Sequence, residues 1–184
     1  MFGILLLTHV TLYGHPCHKF DLILGNPPYM KTEDIKALNA YELGYLKSNY
    51  KFAFKQFDKY MPFIELSLSK VSNAGAIAVV IPNKWMTIVA GRVMRDELRK
   101  QKLVKKLANF RAIRVFEDKD TYVCSLILSN DSAKSIEYVE PVSFDSYLQG
   151  ADNSIEILES DFSVFSSDAW ILPRSDSERK VLKA

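Results

Sequence analysis

Cysteine is scarce in this chain. Cys17 and Cys124 stand far apart, and neither lies in a CxxC or histidine-spaced pattern. That excludes a disulfide framework and a zinc ribbon, and it fits a reducing, cytoplasmic setting. Charge of one sign is lacking too: 24 basic residues against 22 acidic ones leave a formal net charge of +2. No global field draws the chain to nucleic acid or to an anionic membrane, so any nucleic-acid contact must come from local clustering. A run long enough to cross a bilayer is missing as well. Met1 to Leu7 is apolar, but it has no basic lead, is too short, and is followed by Thr8, His9 and Tyr13; it reads as neither signal nor anchor. His9, His15 and His18 near Cys17 are irregularly spaced, and no metal site is expected from them.

What the chain does have is apolar mass. About half of its 184 residues are hydrophobic, enough for one domain with a core. Phe20 to Gly25 reads as a short buried strand running into a Gly-Asn-Pro-Pro break. Lys31 to Lys51 reads as a surface loop with short helical pieces. Phe57, Met61, Ile64, Leu68 and Val71 recur at helical spacing, with Pro62 marking a start or kink and Asn73-Ala74-Gly75 the stop. Ala76 to Ile81 is a Val- and Ile-rich run of strand length. Gly91 to Lys102 reads as a charged amphipathic helix. Val104 to Phe110 and Tyr122 to Leu128 are strands joined through a polar turn at Glu117 to Asp120. Beyond Ser129 only short strand-like runs remain. The alternation predicts an open α/β sheet layered with helices, whose ligands sit beyond the carboxyl ends of strands.

Asn26-Pro27-Pro28-Tyr29 occupies such an end. Asn26 precedes a proline and is held extended, and both prolines have fixed φ and no N–H, so the loop is stiff and offers acceptors. The Asn26 amide oxygen and the Pro27 carbonyl can both accept from one exocyclic amino group, with the Tyr29 ring as a stacking surface. An adenine amino group is a poor nucleophile because its lone pair is delocalised into the ring. Two acceptors that favour a pyramidal nitrogen localise that pair and stabilise the charge that grows on attack at a methyl sulfonium. Reaching the site from a duplex requires base flipping, a cost of a few kcal/mol that stacking offsets by roughly 1–3 kcal/mol.

Lys19 to Tyr29 resembles the strand and catalytic loop of the N6-adenine DNA methyltransferases, particularly the restriction-modification group that joins methylation to cleavage. Asp58, Phe63-Ile64-Glu65 and the strand ending in Ile81-Pro82-Asn83 look like the helix and strand that follow in that group. The helix around Arg95 to Arg99 and the region from Phe116 to Leu128 are similar to later elements. The resemblance implies a partial Rossmann-like methyltransferase sheet with flanking helices, S-adenosyl-L-methionine as cofactor and DNA as partner. It implies Asn26, Pro27, Pro28 and Tyr29 as catalytic residues, Asn26 also at the cofactor, and Tyr29 and Phe116 against the flipped base. Two departures stand out, one before Phe20 and one after Trp170-Ile171-Leu172, where the family's target-recognition domain is expected to follow and does not. Only nineteen residues precede Phe20, and none forms the family's glycine-rich turn, since Gly3 and Gly14 stand alone. The cofactor-binding half is therefore expected to be missing, with a complementary chain supplying it or the target-recognition domain, and the chain is expected to be inactive alone. Residues 1–19 are expected to be a poorly patterned lead, 20–130 the catalytic half, and 131–184, with Trp170-Ile171-Leu172, a segment leading toward a target-recognition domain.

Other readings stay open. The same loop chemistry serves RNA adenine or a protein glutamine, and a non-catalytic remnant that binds nucleic acid or a partner belongs to a different class. Tyr41, Tyr45, Tyr50, Phe52 and Phe54 with Lys47, Lys51 and Lys55 either line a DNA groove or pack the loop onto the sheet. Arg92, Arg95, Arg99, Lys100, Lys102, Lys105 and Lys106 either meet phosphates or form a solvated face.

Overall fold

The computed structural model describes residues 5–8, 19–116, 121–158, 169–173 and 178. The apolar runs named above form strands β2 (Phe20–Gly25), β3 (Val71–Pro82), β4 (Val104–Asn109) and β5 (Val123–Ser129). They are joined by β1 (Leu5–Thr8), β6 (Ser135–Val139) and β7 (Ser154–Leu158) in one sheet of order β1-β2-β3-β5-β4-β6-β7. The β2–β3 and β4–β6 pairs are parallel and the others antiparallel. The α/β class is as expected, with a mixed rather than purely parallel sheet. The weakly patterned tail adds β6 and β7 to the same sheet, and residues 5–8 pair with β2 at the opposite edge.

Helices α1 (Thr32–Leu38), α2 (Ala40–Asn49), α3 (Tyr60–Lys70) and α4 (Arg92–Lys100) bury Ile35, Leu43, Leu46, Ile64, Met94 and Leu98 in one core. From the sheet that core receives Ile23, Ile77, Val79, Ile81, Leu126 and Leu128. The strand residues follow from the period of two, since Ile77 pairs with Leu128 and Val79 with Leu126 on one face. Pro62 sits in the first turn of α3, where its missing N–H costs nothing. The Asn73-Ala74-Gly75 stop corrects to a strand: α3 ends at Lys70 and β3 begins at Val71, with a register shift against β2 between Phe20 and Leu22. The turn residues fall in that irregularity, where the register against β2 skips from Val71 to Ala76, and the Gly75 carbonyl accepts from Ser129 Oγ of β5 at 2.9 Å.

The second face of the sheet differs across its width. Over β2, β3 and β5 it carries Leu22, Leu24, Ala76, Ala78 and Ile127, with Leu24 40% exposed and the others half-buried. Over β4, β6 and β7 it carries an ion pair, Lys106 Nζ to Glu137 Oε1 at 2.7 Å, and Ser135 donating to Glu156. At its carboxyl end a small cluster of Ala108, Phe110, Val123 and Val139 receives Tyr147 of α5 (Phe144–Leu148).

After β3 the chain makes two 3-10 turns, Asn83–Met86 and Val89–Gly91, before α4. Trp85 is buried, meets Trp170 edge-on at 5.2 Å, and donates from Nε1 to Cys124 Sγ at 3.4 Å. Trp170 N–H donates to the Met86 carbonyl at 2.7 Å, so this late segment is docked in the core. Arg95 is 1% exposed and donates to the carbonyls of Trp85 and Ile88. Its phosphate-contact reading is corrected on that ground: the guanidinium satisfies turn carbonyls inside the protein. Gly91 is required by crowding rather than by φ, because a Cβ there would lie 2.1 Å from the Trp85 carbonyl oxygen. Gly91→Ala is expected to cost about 1–3 kcal/mol through overpacking, read as a lower midpoint in thermal unfolding followed by circular dichroism.

Candidate active site at the carboxyl ends of β2 and β3

The diproline loop leaves β2 at the same end of the sheet where β3, parallel to it, reaches Pro82. Asn26 is exposed, Pro27 is buried, and Pro28 and Tyr29 are half-buried. Among the described residues neither the Asn26 amide nor the Pro27 carbonyl has a hydrogen-bond partner. Tyr29 is held instead: Oη donates to the Val80 carbonyl of β3 at 2.8 Å, and the ring meets Tyr60 edge-on at 6.3 Å and 84°. The loop thus leaves both acceptors unbonded, Asn26 exposed and Pro27 within the surface, while its aromatic side chain is anchored. Phe116 is half-buried beside the Ala108, Phe110, Val123 and Val139 cluster, against which Tyr29 and Val80 also pack. The structure therefore brings Phe116 and Tyr29 to the border of one cluster.

The segment that follows the loop is laced to the start of α3. The backbones of Lys31 and Asp58 pair as an isolated antiparallel bridge, to which the Lys59 N–H to Met30 carbonyl bond at 2.8 Å belongs, and Thr32 Oγ1 donates to the Phe57 carbonyl at 2.7 Å. Asp58 is 4% exposed and pairs with Lys84, Oδ2 to Nζ at 2.7 Å. On the β3 side, Asn83 N–H donates to the Tyr122 carbonyl and Asn83 Nδ2 to Asn109 Oδ1, both at 3.0 Å. Asparagine side chains thus stand at the ends of β2, β3 and β4. Sequence reasoning missed Lys84, Tyr60 and Asn109, because a lysine after a strand, a helix-start tyrosine and a strand-end asparagine carry no periodic signal of their own.

The remaining candidates divide. Phe52 is buried and Phe54 and Tyr50 half-buried, whereas Tyr41 is 92% exposed on α2 and Tyr45 59%, with Lys47, Lys51 and Lys55 exposed. Arg92 and Lys100 are exposed, Arg99 lies within 3.9 Å of Asp96, and Lys105 and Lys106 pair with Asp131 and Glu137. His9, His15, His18 and Cys17 and the Glu117 to Asp120 turn lie outside the described residues. The described residues hold no metal-binding group of His, Cys, Asp and Glu, and no helix among them is long and apolar enough to cross a membrane. An open cleft of about 640 Å³, lined by Asn73, Ala74 and Ser129 to Ser132, lies at the opposite end of the sheet and shares no residue with the diproline loop.

Burial shapes the ionisation of the groups beneath the loop. It raises the Tyr29 phenol above its ordinary value, with Cys124 adding to the effect. It also raises the Tyr60 phenol, helped by the Asp58 charge. It pushes the Cys124 thiol up to about 12, against the Trp85 hydrogen bond that pulls it down. Tyr29 is therefore a neutral donor at physiological pH and does not serve as a base.

Comparison with solved structures bears on the fold first. A Listeria monocytogenes protein assigned to the class I S-adenosylmethionine-dependent methyltransferases superposes with a TM-score of 0.51 at 12% identity, over 77% of this chain and 42% of that one. The type IIL restriction-modification enzyme MmeI, solved in complex with DNA, gives 0.55 at 15% identity, over 73% and 18%. At such identities the likeness is one of fold. Residues 9–116, more than half of the chain, match the Eco57I restriction-modification methylase family, and the chain belongs to that family. The type II restriction enzyme and methyltransferase RM.Eco57I of Escherichia coli is 35% identical over 157 residues, which are 85% of this chain and 16% of that protein. This chain thus spans less than a fifth of that relative.

The raised values fix the sign of a pH effect. The folded state keeps these protons where the unfolded chain releases them, the thiol near about 9 and the phenols near about 10, so it binds more protons and its stability falls as pH rises through that range. Alkaline urea titrations are expected to show this decline. Tyr29→Phe is expected to flatten it and to cost about 1 kcal/mol at neutral pH through the lost bond to Val80.

Proposed function

We propose that this chain carries the nitrogen-methylating end of a DNA adenine-N6 methyltransferase of a restriction-modification system. The observation that carries the reading is the pair of unengaged acceptors, Asn26 Oδ1 and the Pro27 carbonyl, on a rigid loop at an open strand end. Both would accept from the N6 amino group, pyramidalise it and direct its lone pair outward. S-adenosyl-L-methionine, when bound, supplies a methyl group on a positively charged sulfur that takes back the bonding electron pair. As the N–C bond forms, positive charge grows on nitrogen, and Asn26 and Pro27 stabilise it until a proton leaves to solvent. Tyr29 and Phe116 would hold the extruded ring by stacking, Tyr29 with its hydroxyl committed to Val80.

Asn26 is the residue of this chain that fits the methyl end of the cofactor. The glycines of the described residues, Gly25, Gly44, Gly75, Gly91 and Gly150, stand singly, so no glycine-rich turn is present among them. We therefore assign the rest of the cofactor contact to a further segment or a complementary chain, which supplies the glycine-rich half or target recognition. The apolar strip of Leu22, Leu24, Ala76, Ala78 and Ile127 beside the site supports such a partner, since it has the character of a covered surface while the charged half of the same face has that of a wetted one.

Two measurements test this. Isothermal titration of the isolated chain with S-adenosyl-L-methionine is expected to show no binding in the micromolar range; micromolar affinity would refute the need for a complement. In a complex competent for methylation, Asn26→Ala is expected to reduce tritium transfer to duplex DNA by at least about 100-fold, with DNA affinity nearly unchanged. Transfer to RNA or to a protein glutamine in preference to duplex DNA would overturn the substrate assignment, and an unchanged rate would overturn the role of Asn26.

A further inference from the structure

The methyl-transfer reading uses the loop and leaves out what holds it. Residues 30–32, which follow Tyr29, are tied to residues 57–59 through the antiparallel backbone pairing of Lys31 with Asp58, which includes the Lys59 N–H to Met30 bond, and through the Thr32 Oγ1 to Phe57 bond. These ties make one double strap out of the loop exit and the lead into α3. The strap then needs a reference point on the sheet. Tyr29 Oη on the Val80 carbonyl supplies one. A body pinned at a single point still pivots, and a pivot about Tyr29 would carry Asn26 with it.

The second pin is Asp58 with Lys84. Lys84 lies in the 3-10 turn directly after β3, and that turn is itself fixed by the two bonds of Asn83 to the ends of β4 and β5. The Lys84 carbonyl also accepts from the N–H groups of Thr87 and Ile88, both at 3.0 Å. Asp58 is nearly inaccessible, its side chain 5% exposed against 40% for Lys84. A carboxylate so placed is costly to hold without a cation, and removing one partner of such a pair leaves an uncompensated charge. Tyr60, two residues beyond Asp58, meets Tyr29 edge-on, so the strap and the site aromatic touch directly.

We propose that Asp58 and Lys84 are the positioning pair of this site, clamping the exit of the diproline loop to the end of β3 and so fixing where Asn26 and Tyr29 stand. Neither residue is assigned contact with a base or a methyl donor. The proposal takes its functional meaning from the methyl-transfer reading, but the geometry it asserts is measurable without it.

The test uses the full chain with 3-fluorotyrosine placed at position 29, and at position 138 in β6 as a control on another strand, read by fluorine NMR beside a thermal unfolding curve. The parent chain and Lys84→Arg, which keeps the charge, are expected to give one sharp Tyr29 signal. Asp58→Asn and Lys84→Met are expected to shift and broaden or split the Tyr29 signal while leaving the Tyr138 signal in place. Lys84→Met keeps the test decisive if Asp58→Asn does not fold, because Lys84 is the more exposed partner. An unchanged Tyr29 signal in Lys84→Met would overturn the proposal. So would equal displacement of both signals, which marks general loosening. Absence of methylation in a reconstituted complex would count against methyl transfer and leave the clamp standing.

Discussion

A parallel pair of strands with unequal burdens underlies this molecule. β2 is short and ends in residues that cannot join a ladder, whereas β3 is long and paired on both sides. Parallel pairing brings their carboxyl ends side by side, so the stiff loop that β2 cannot continue is braced by the strand that does continue. The hydroxyl of Tyr29 on the Val80 carbonyl is the direct expression of this arrangement. Without it the prolines would still be rigid, but rigid in no particular place.

Rigidity at the site is matched by polar satisfaction around it. Asn83 donates to Asn109, Thr32 to the Phe57 carbonyl and the Lys59 N–H to the Met30 carbonyl, so backbone groups that helix and sheet leave over are used up locally. The contrast is with Asn26 and Pro27, whose oxygens take no part. In a region where nearly every neighbour is paired, two idle acceptors on adjacent residues are informative.

The sequence made the strand-loop unit legible because its signals are local: an apolar run, then two prolines with fixed φ. The same holds for α3, β4 and β5, whose residues carry their own periodicity. Asn73-Ala74-Gly75 has the chemistry of a stop, yet α3 ends before it at Lys70 and those residues lie inside β3, at an irregularity that only the tertiary register reveals. Arg95 was read as a surface cation because its neighbours are charged, yet its partners are carbonyls ten and seven residues back. Of the site, Asn26 to Tyr29 could be read from four letters, whereas the Asp58 to Lys84 pair joins residues from separate elements and exists only once β3 lies beside β2. Phe116 was reachable by family likeness alone, since nothing in its local pattern distinguishes it.

The divided second face of the sheet has a practical meaning. Leu22, Leu24 and Ile127 lie beside small alanines, so the strip is shallow enough to receive the ridge of a helix or the matching strip of another molecule. Such a surface favours contact with another apolar face, and salt that screens charge would not prevent it. Handling the chain together with whatever shields that strip is therefore a matter of colloid chemistry before it is one of enzymology.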